Sequence, residues 1–171
     1  MFIRRMCSTL LGFALVAVVV PSYAADRGPS TPEERKQALA YIHDWQADPL
    51  GVHAKEQFGW VLKWFVEMPD QTVHVCMILD KLPKGDKKDG ATIFGAAFMG
   101  QAAFVLENPD KKNDLQAEFQ AGVEAALNVY AALVKSNPKD REPYLEELIA
   151  RREAGTLTQF VHDRAAASCG K

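Results

Sequence analysis

Three cysteines in 171 residues, with no CxxC pair and no second Cys/His cluster, leave little room for a zinc ribbon, a thioredoxin-like centre or an iron–sulfur site. Also missing are a GxSxG elbow, an HExxH helix, a CxxCH haem site, a phosphate-binding glycine loop and a calcium loop. The paired Glu-x-x-His of di-iron bundles is absent as well. No cofactor is therefore expected, and the prior for an enzyme falls. Basic excess is wanting too, since 20 Lys and Arg face 22 Asp and Glu, which argues against nucleic acid as a partner.

The apolar residues that are present fall into two long runs. The first, Leu10 to Val20, follows Arg4 and Arg5 and precedes the small residues Ser22, Ala24 and Ala25. That order reads as a secretory signal peptide over residues 1–24, leaving residues 25–171 as one helical domain. Arg4 and Arg5 are the only charges ahead of the cut, so the remainder holds 18 basic and 22 acidic residues, a net charge of −4. Export to a periplasm or beyond the cell is the expectation, with no membrane span in the mature chain. It leaves Cys76 and Cys169 as an even pair in an oxidising compartment, which implies a disulfide.

The second run, Ala91 to Leu106, is interrupted only by Thr92 and Gln101. A stretch this apolar on every side belongs inside a protein, and at sixteen residues it falls short of the ~20 a bilayer requires. Gly95, Ala96, Gly100 and Ala103 suit close approach by neighbouring helices. The fold expected is all-α: five to seven helices in one compact domain, arranged as antiparallel hairpins about a buried central helix at 91–107.

Helix signals organise the rest. Thr31 can cap a helix whose first position is Pro32, with Glu33 and Glu34 complementing its dipole; Ala38, Tyr41, Ile42 and Trp45 face inward. Asp48-Pro49 closes it and opens a second helix that runs to about Met68. Residues 72–79 read as extended to about Val75 and then as a helical turn to Leu82, followed by a polar loop from Pro83 to Gly90. A helix from about Asn113 to Ser136 sets Leu115, Phe119, Gly122, Val123, Ala126, Tyr130, Leu133 and Val134 on one face. Another spans Pro143 to Ala154, with Gly155 as a left-handed terminator and Thr156 as cap of a last helix.

The second helix carries the candidate site. Ala54, Phe58, Val61, Leu62 and Phe65 form its inward face at 100° per residue, while His53, Glu56, Gln57, Trp60, Trp64 and Glu67 fall opposite. Two tryptophans among acids are the kind of surface that anchors a protein partner or holds a cation. The competing account packs both rings on the first helix near Tyr41 and Trp45. His53 and Glu56 supply two of the three or four ligands a metal needs. The adjacent pairs His43-Asp44 and His162-Asp163 point apart on a helix, so neither makes an acid–base dyad.

A self-similarity runs at an offset of 29: Ala102-Ala103-Phe104-Val105 before Asn108-Pro109 matches Ala131-Ala132-Leu133-Val134 before Asn137-Pro138, with 11 identities over 34 positions from Ile93. The spacing Ala126-x3-Tyr130-x7-Pro138 resembles the second helix of a tetratricopeptide hairpin, over Ala125 to Leu148. That resemblance implies stacked antiparallel helices and protein binding rather than catalysis. In overall style the chain is similar to small exported bacterial helical proteins of no assigned function. The expected function is thus an exported, non-catalytic binding module whose partner is another extracytoplasmic protein. Alternatives are a metal or small-cation binder at His53, Glu56, Trp60 and Trp64, and an enzyme without a recognisable motif.

Overall fold

In the computed structural model, residues 27–82 and 89–169 are described; the segment expected to be a signal peptide, residues 1–24, and positions 83–88 of the polar loop lie outside them. Six α-helices make up this part of the chain, joined by short 3-10 turns and loops, with no strand among the described residues. They are α1 (Pro32–Ala47), α2 (Ala54–Glu67), α3 (Gly90–Glu107), α4 (Leu115–Ser136), α5 (Pro143–Glu153) and α6 (Leu157–Ser168). The α3/α4 pair is the most extensively packed, α1 packs on both α2 and α3, and α6 packs on α4 as well as α5.

The apolar run becomes α3, most of whose residues from Ile93 through Leu106 are buried, with Phe94 left 44% exposed. The helix has 18 residues, two more than the run that announces it, and by length and composition it passes for a membrane span, yet 61% of it is enclosed by the rest of the fold. Small residues explain how α4 comes so near. A Cβ at Gly100 would sit 2.6 Å from the Ala121 carbonyl oxygen and 2.5 Å from the Ala125 Cβ, and one at Gly122 would lie 2.9 Å from the Ala97 carbonyl oxygen.

Both helices of this pair stop by the same device. Asn108 caps α3 with its N–H on the Phe104 carbonyl, Asn137 caps α4 with its N–H on the Leu133 carbonyl, and each is followed by a proline-initiated 3-10 turn. The 29-residue offset in sequence is thus an offset between two equivalent helix ends.

Thr31 starts α1 as expected, in a full capping box: its hydroxyl accepts from the Glu34 N–H at 3.1 Å while the Glu34 carboxylate accepts from the Thr31 N–H at 2.8 Å. The second helix begins five residues later than Pro49. Gly51 folds the chain first, donating its N–H to the Asp48 carbonyl and accepting from Ala54, and α2 starts only beyond that turn.

Beyond α2, residues 72–76 cross the α3/α4 pair without regular structure, Cys76 is extended, and a 3-10 turn covers Met77–Leu79. The Tyr144 hydroxyl donates to the Ile78 carbonyl at 3.0 Å, and a disulfide joins Cys76 to Cys169 with Cα atoms 5.7 Å apart. The strap formed by residues 69–79 is thereby fastened to α5 and to the end of α6. Gly155 ends α5 at φ +71°, as its lack of a Cβ permits. Thr156 sits at the α6 N-cap position but does not cap; its hydroxyl turns back to the Arg151 carbonyl at 3.3 Å.

Candidate functional site

The α2 face singled out from sequence does not survive as an open aromatic platform. Trp64 is only 3% exposed and belongs to the core. Trp60 is half-buried, stacked on Trp64 at 6.2 Å and edge-on to Tyr41 at 5.1 Å. Trp60 therefore packs on Tyr41 of α1, while Trp64 lies in the core against Trp60 and Phe65. The reason is that α2 is buried along more than one side: α1 meets Trp60 through Tyr41 and Phe58 through Trp45, while Phe98 of α3 meets Phe58 and Phe65. What α2 leaves in solvent is a third strip, Leu62 at 41% and Val66 at 79%, so Leu62 is not core. Of the remaining candidates, His53 and Glu56 are exposed and 3.8 Å apart, Gln57 is half-buried, and Glu67 pairs with Arg27 at 2.8 Å. No group of three or more His, Cys, Asp or Glu that suits a metal occurs among the described residues.

The other candidates fall into ordinary surface pairs. His43 reaches across to Glu107 at 3.0 Å, and His162 meets Asp163 at 3.3 Å with both exposed. Arg141, Arg151 and Arg152 bond Glu146, Glu147 and Glu124. Tyr130 and Tyr144 are buried, and burial pushes each phenol up to about 12, so both stay protonated as hydrogen-bond donors. Leu115, assigned inward, is 39% exposed at the first turn of α4.

A different constellation carries the chemistry. Glu118, on α4, is 1% exposed, and both its oxygens are directed at one residue of the strap. Oε1 accepts the His74 backbone N–H at 2.6 Å, and Oε2 lies 2.9 Å from the His74 ring Nδ1. From α3 the Gln101 side chain donates to the His74 carbonyl at 3.0 Å. One strap residue thus has its N–H, its C=O and one ring nitrogen fixed from two helices, while its side chain remains 42% exposed. Among the described residues Nε2 has no protein partner.

Sequence reasoning passed over Glu118, although a signal was there. Glu118 precedes Gly122 and Ala126 by four and eight residues, squarely on the inward stripe of α4, where a carboxylate has to find a donor. Gln101, one of two polar interruptions in α3, is the matching signal from the other helix.

His74 opens onto a cleft of about 700 Å³, also lined by Arg35, Pro69, Asp70, Gln71, Thr72, Val105, Leu106, Pro109, Lys112 and Asn113. The volume lies within the range of small-molecule sites. At its rim Asp70 accepts from the Ser30 N–H at 2.8 Å, the Ser30 hydroxyl at 2.7 Å and the Gln71 amide at 2.9 Å. Burial pushes the Asp70 carboxyl up, but those hydrogen bonds together outweigh it and hold the group below its ordinary value, as a carboxylate. Arg35 donates through Nη1 to the Ser30 carbonyl and hydroxyl.

No protein family, curated protein or solved structure matches this chain, so the reading of the site rests on its own geometry.

Proposed function

We propose that this chain is an exported, non-catalytic helical binding module, and that its binding site is the cleft at His74 rather than the tryptophan-bearing face of α2. The observation that carries this reading is the use of a buried carboxylate, Glu118, to fix a half-exposed imidazole beside a cleft large enough for a small molecule. A buried acid is costly unless paired and hydrogen-bonded, and the pairing here orients a ring that faces solvent. Binding is favoured over catalysis by the state of the neighbouring hydroxyl, since Ser30 is buried and donates to Asp70. Export is supported by the leader-like N-terminus and by the pairing of the two remaining cysteines.

The second reading, recognition of another extracytoplasmic protein, is favoured by the exposed pair Leu62 and Val66, four residues apart on α2, and by the tetratricopeptide-like spacing in α4 and α5. Purification from the exporting cell under native conditions, with mass spectrometry of everything retained, separates the two. The cleft reading expects a small molecule at one equivalent that His74→Gln releases. A protein that co-purifies, is lost in Val66→Asp and persists in His74→Gln would replace that reading with the second.

A further inference from the structure

Building on the cleft reading, we infer that the ligand is a small oxyanion, a carboxylate or a phosphate group, held by Arg35, Lys112 and Asn113 in the cleft onto which His74 opens. The argument is an inventory of open valences. Both carboxylates at the cleft are engaged: Glu118 holds His74 with its two oxygens, and Asp70 accepts three hydrogen bonds from Ser30 and Gln71. Donors, in contrast, stand open. Arg35 uses only Nη1, leaving Nη2 and Nε, while Lys112 has no ion pair and the Asn113 amide no side-chain bond among the described residues.

Guanidinium groups bind carboxylate and phosphate through two parallel N–H bonds, and a lysine adds a mobile point charge. The same cleft is lined by the apolar residues Val105, Leu106, Pro69 and Pro109, which lower the local dielectric and strengthen a charge-assisted bond. A cation would find its natural partners already taken.

The test uses the oxidised mature protein and follows the His74 ring and the Lys112 and Asn113 amides by NMR, titrated with inorganic phosphate, succinate, choline and glucose at constant ionic strength. Saturable shifts with phosphate or succinate are expected, the stronger of the two identifying the source of the oxyanion. Lys112→Gln, at an exposed residue without a protein partner, is expected to weaken binding about tenfold, one charged hydrogen bond's worth; Arg35→Gln does the same if it folds. Shifts with both phosphate and succinate no larger than those of matched chloride overturn the oxyanion site. Saturation by choline or glucose alone overturns it too, while leaving the cleft as a binding site. Silence of the cleft toward all four probes, combined with a natively retained molecule mapped to another surface, overturns the cleft reading itself.

Discussion

Gly100 and Gly122 face each other where α3 and α4 cross, so near that a Cβ on Gly100 would lie 3.1 Å from the Gly122 Cα. The nearest obstacles are a carbonyl oxygen and a methyl on the α4 backbone, neither able to swing aside. In Gly100→Ala the overpacking exceeds the helix propensity gained, and a net loss of about 2 to 3 kcal/mol is expected. For a chain of this size that is a drop of roughly 4 to 12 °C in Tm. Gly59 provides the control, because it sits exposed in α2 with nothing within 4 Å of its Cβ position. Gly59→Ala should gain about 0.5 to 1 kcal/mol. Calorimetry of both variants checks the opposed signs; two stabilising alanines would mean that the helices stand further apart than the crossing shown here.

The same crossing shows what could be read from sequence. Alanine and glycine at 95, 96, 100 and 103, within an apolar run, point to a sheltered helix, and α3 is that helix. Thr31, Pro32, Asn108, Asn137 and Gly155 mark the helix ends because each acts through its own backbone or side chain. The candidate site was less legible. Helical periodicity separates two faces, but α2 meets both α1 and α3, and which side α1 takes depends on contacts such as Tyr41 with Trp60, 19 residues apart. Glu118 and His74 are 44 positions apart, and no local pattern in the strap tells which helix it will cross.

Trp64 supplies the second prediction. It is buried, and its indole Nε1 has no hydrogen-bond partner among the described residues. Trp64→Ala should cost about 3 to 5 kcal/mol through the cavity left behind. Trp64→Phe keeps an aromatic ring and removes the unpaired donor, so its cost should be less than half of that. Urea midpoints for the two variants, beside Trp60→Ala at the half-buried ring, give the ranking. If Trp64→Ala leaves stability intact, the ring is a surface feature and the rejected platform on α2 returns.

The disulfide gives the third. Cys76 and Cys169 close a segment with a sequence separation of 93, for which chain entropy assigns about 4 to 5 kcal/mol. The double variant Cys76→Ser/Cys169→Ser should lose stability on that scale and should loosen the strap and the end of α6 first, since those are the pieces the bond joins. Hydrogen exchange resolved by residue is the direct measurement, with the His74 amide as reporter. Protection at His74 that is unchanged in the double variant would show that Glu118 and Gln101 hold the strap without help from the tail.

Acid titration tests the Ser30–Asp70 junction. Asp70 is held below its ordinary 3.8 in the folded chain because the bonds from Ser30 and Gln71 outweigh its burial. A carboxyl whose folded value is depressed stabilises the fold above its unfolded value, and that stability is lost as pH falls through the folded value. Asp70→Asn keeps the shape but not the charge, so it should be less stable than the natural chain at pH 7 by a margin that stays level down to about pH 4. Below that, the natural chain protonates and the margin closes. Glu34 and Asp163, also depressed, titrate in both proteins and cancel from the difference. Urea denaturation of the pair at half-unit steps from pH 7 to pH 2 measures the margin; one that closes already near pH 6, or never closes, would mean that Asp70 is not the ionised acceptor tying the start of α1 to the strap.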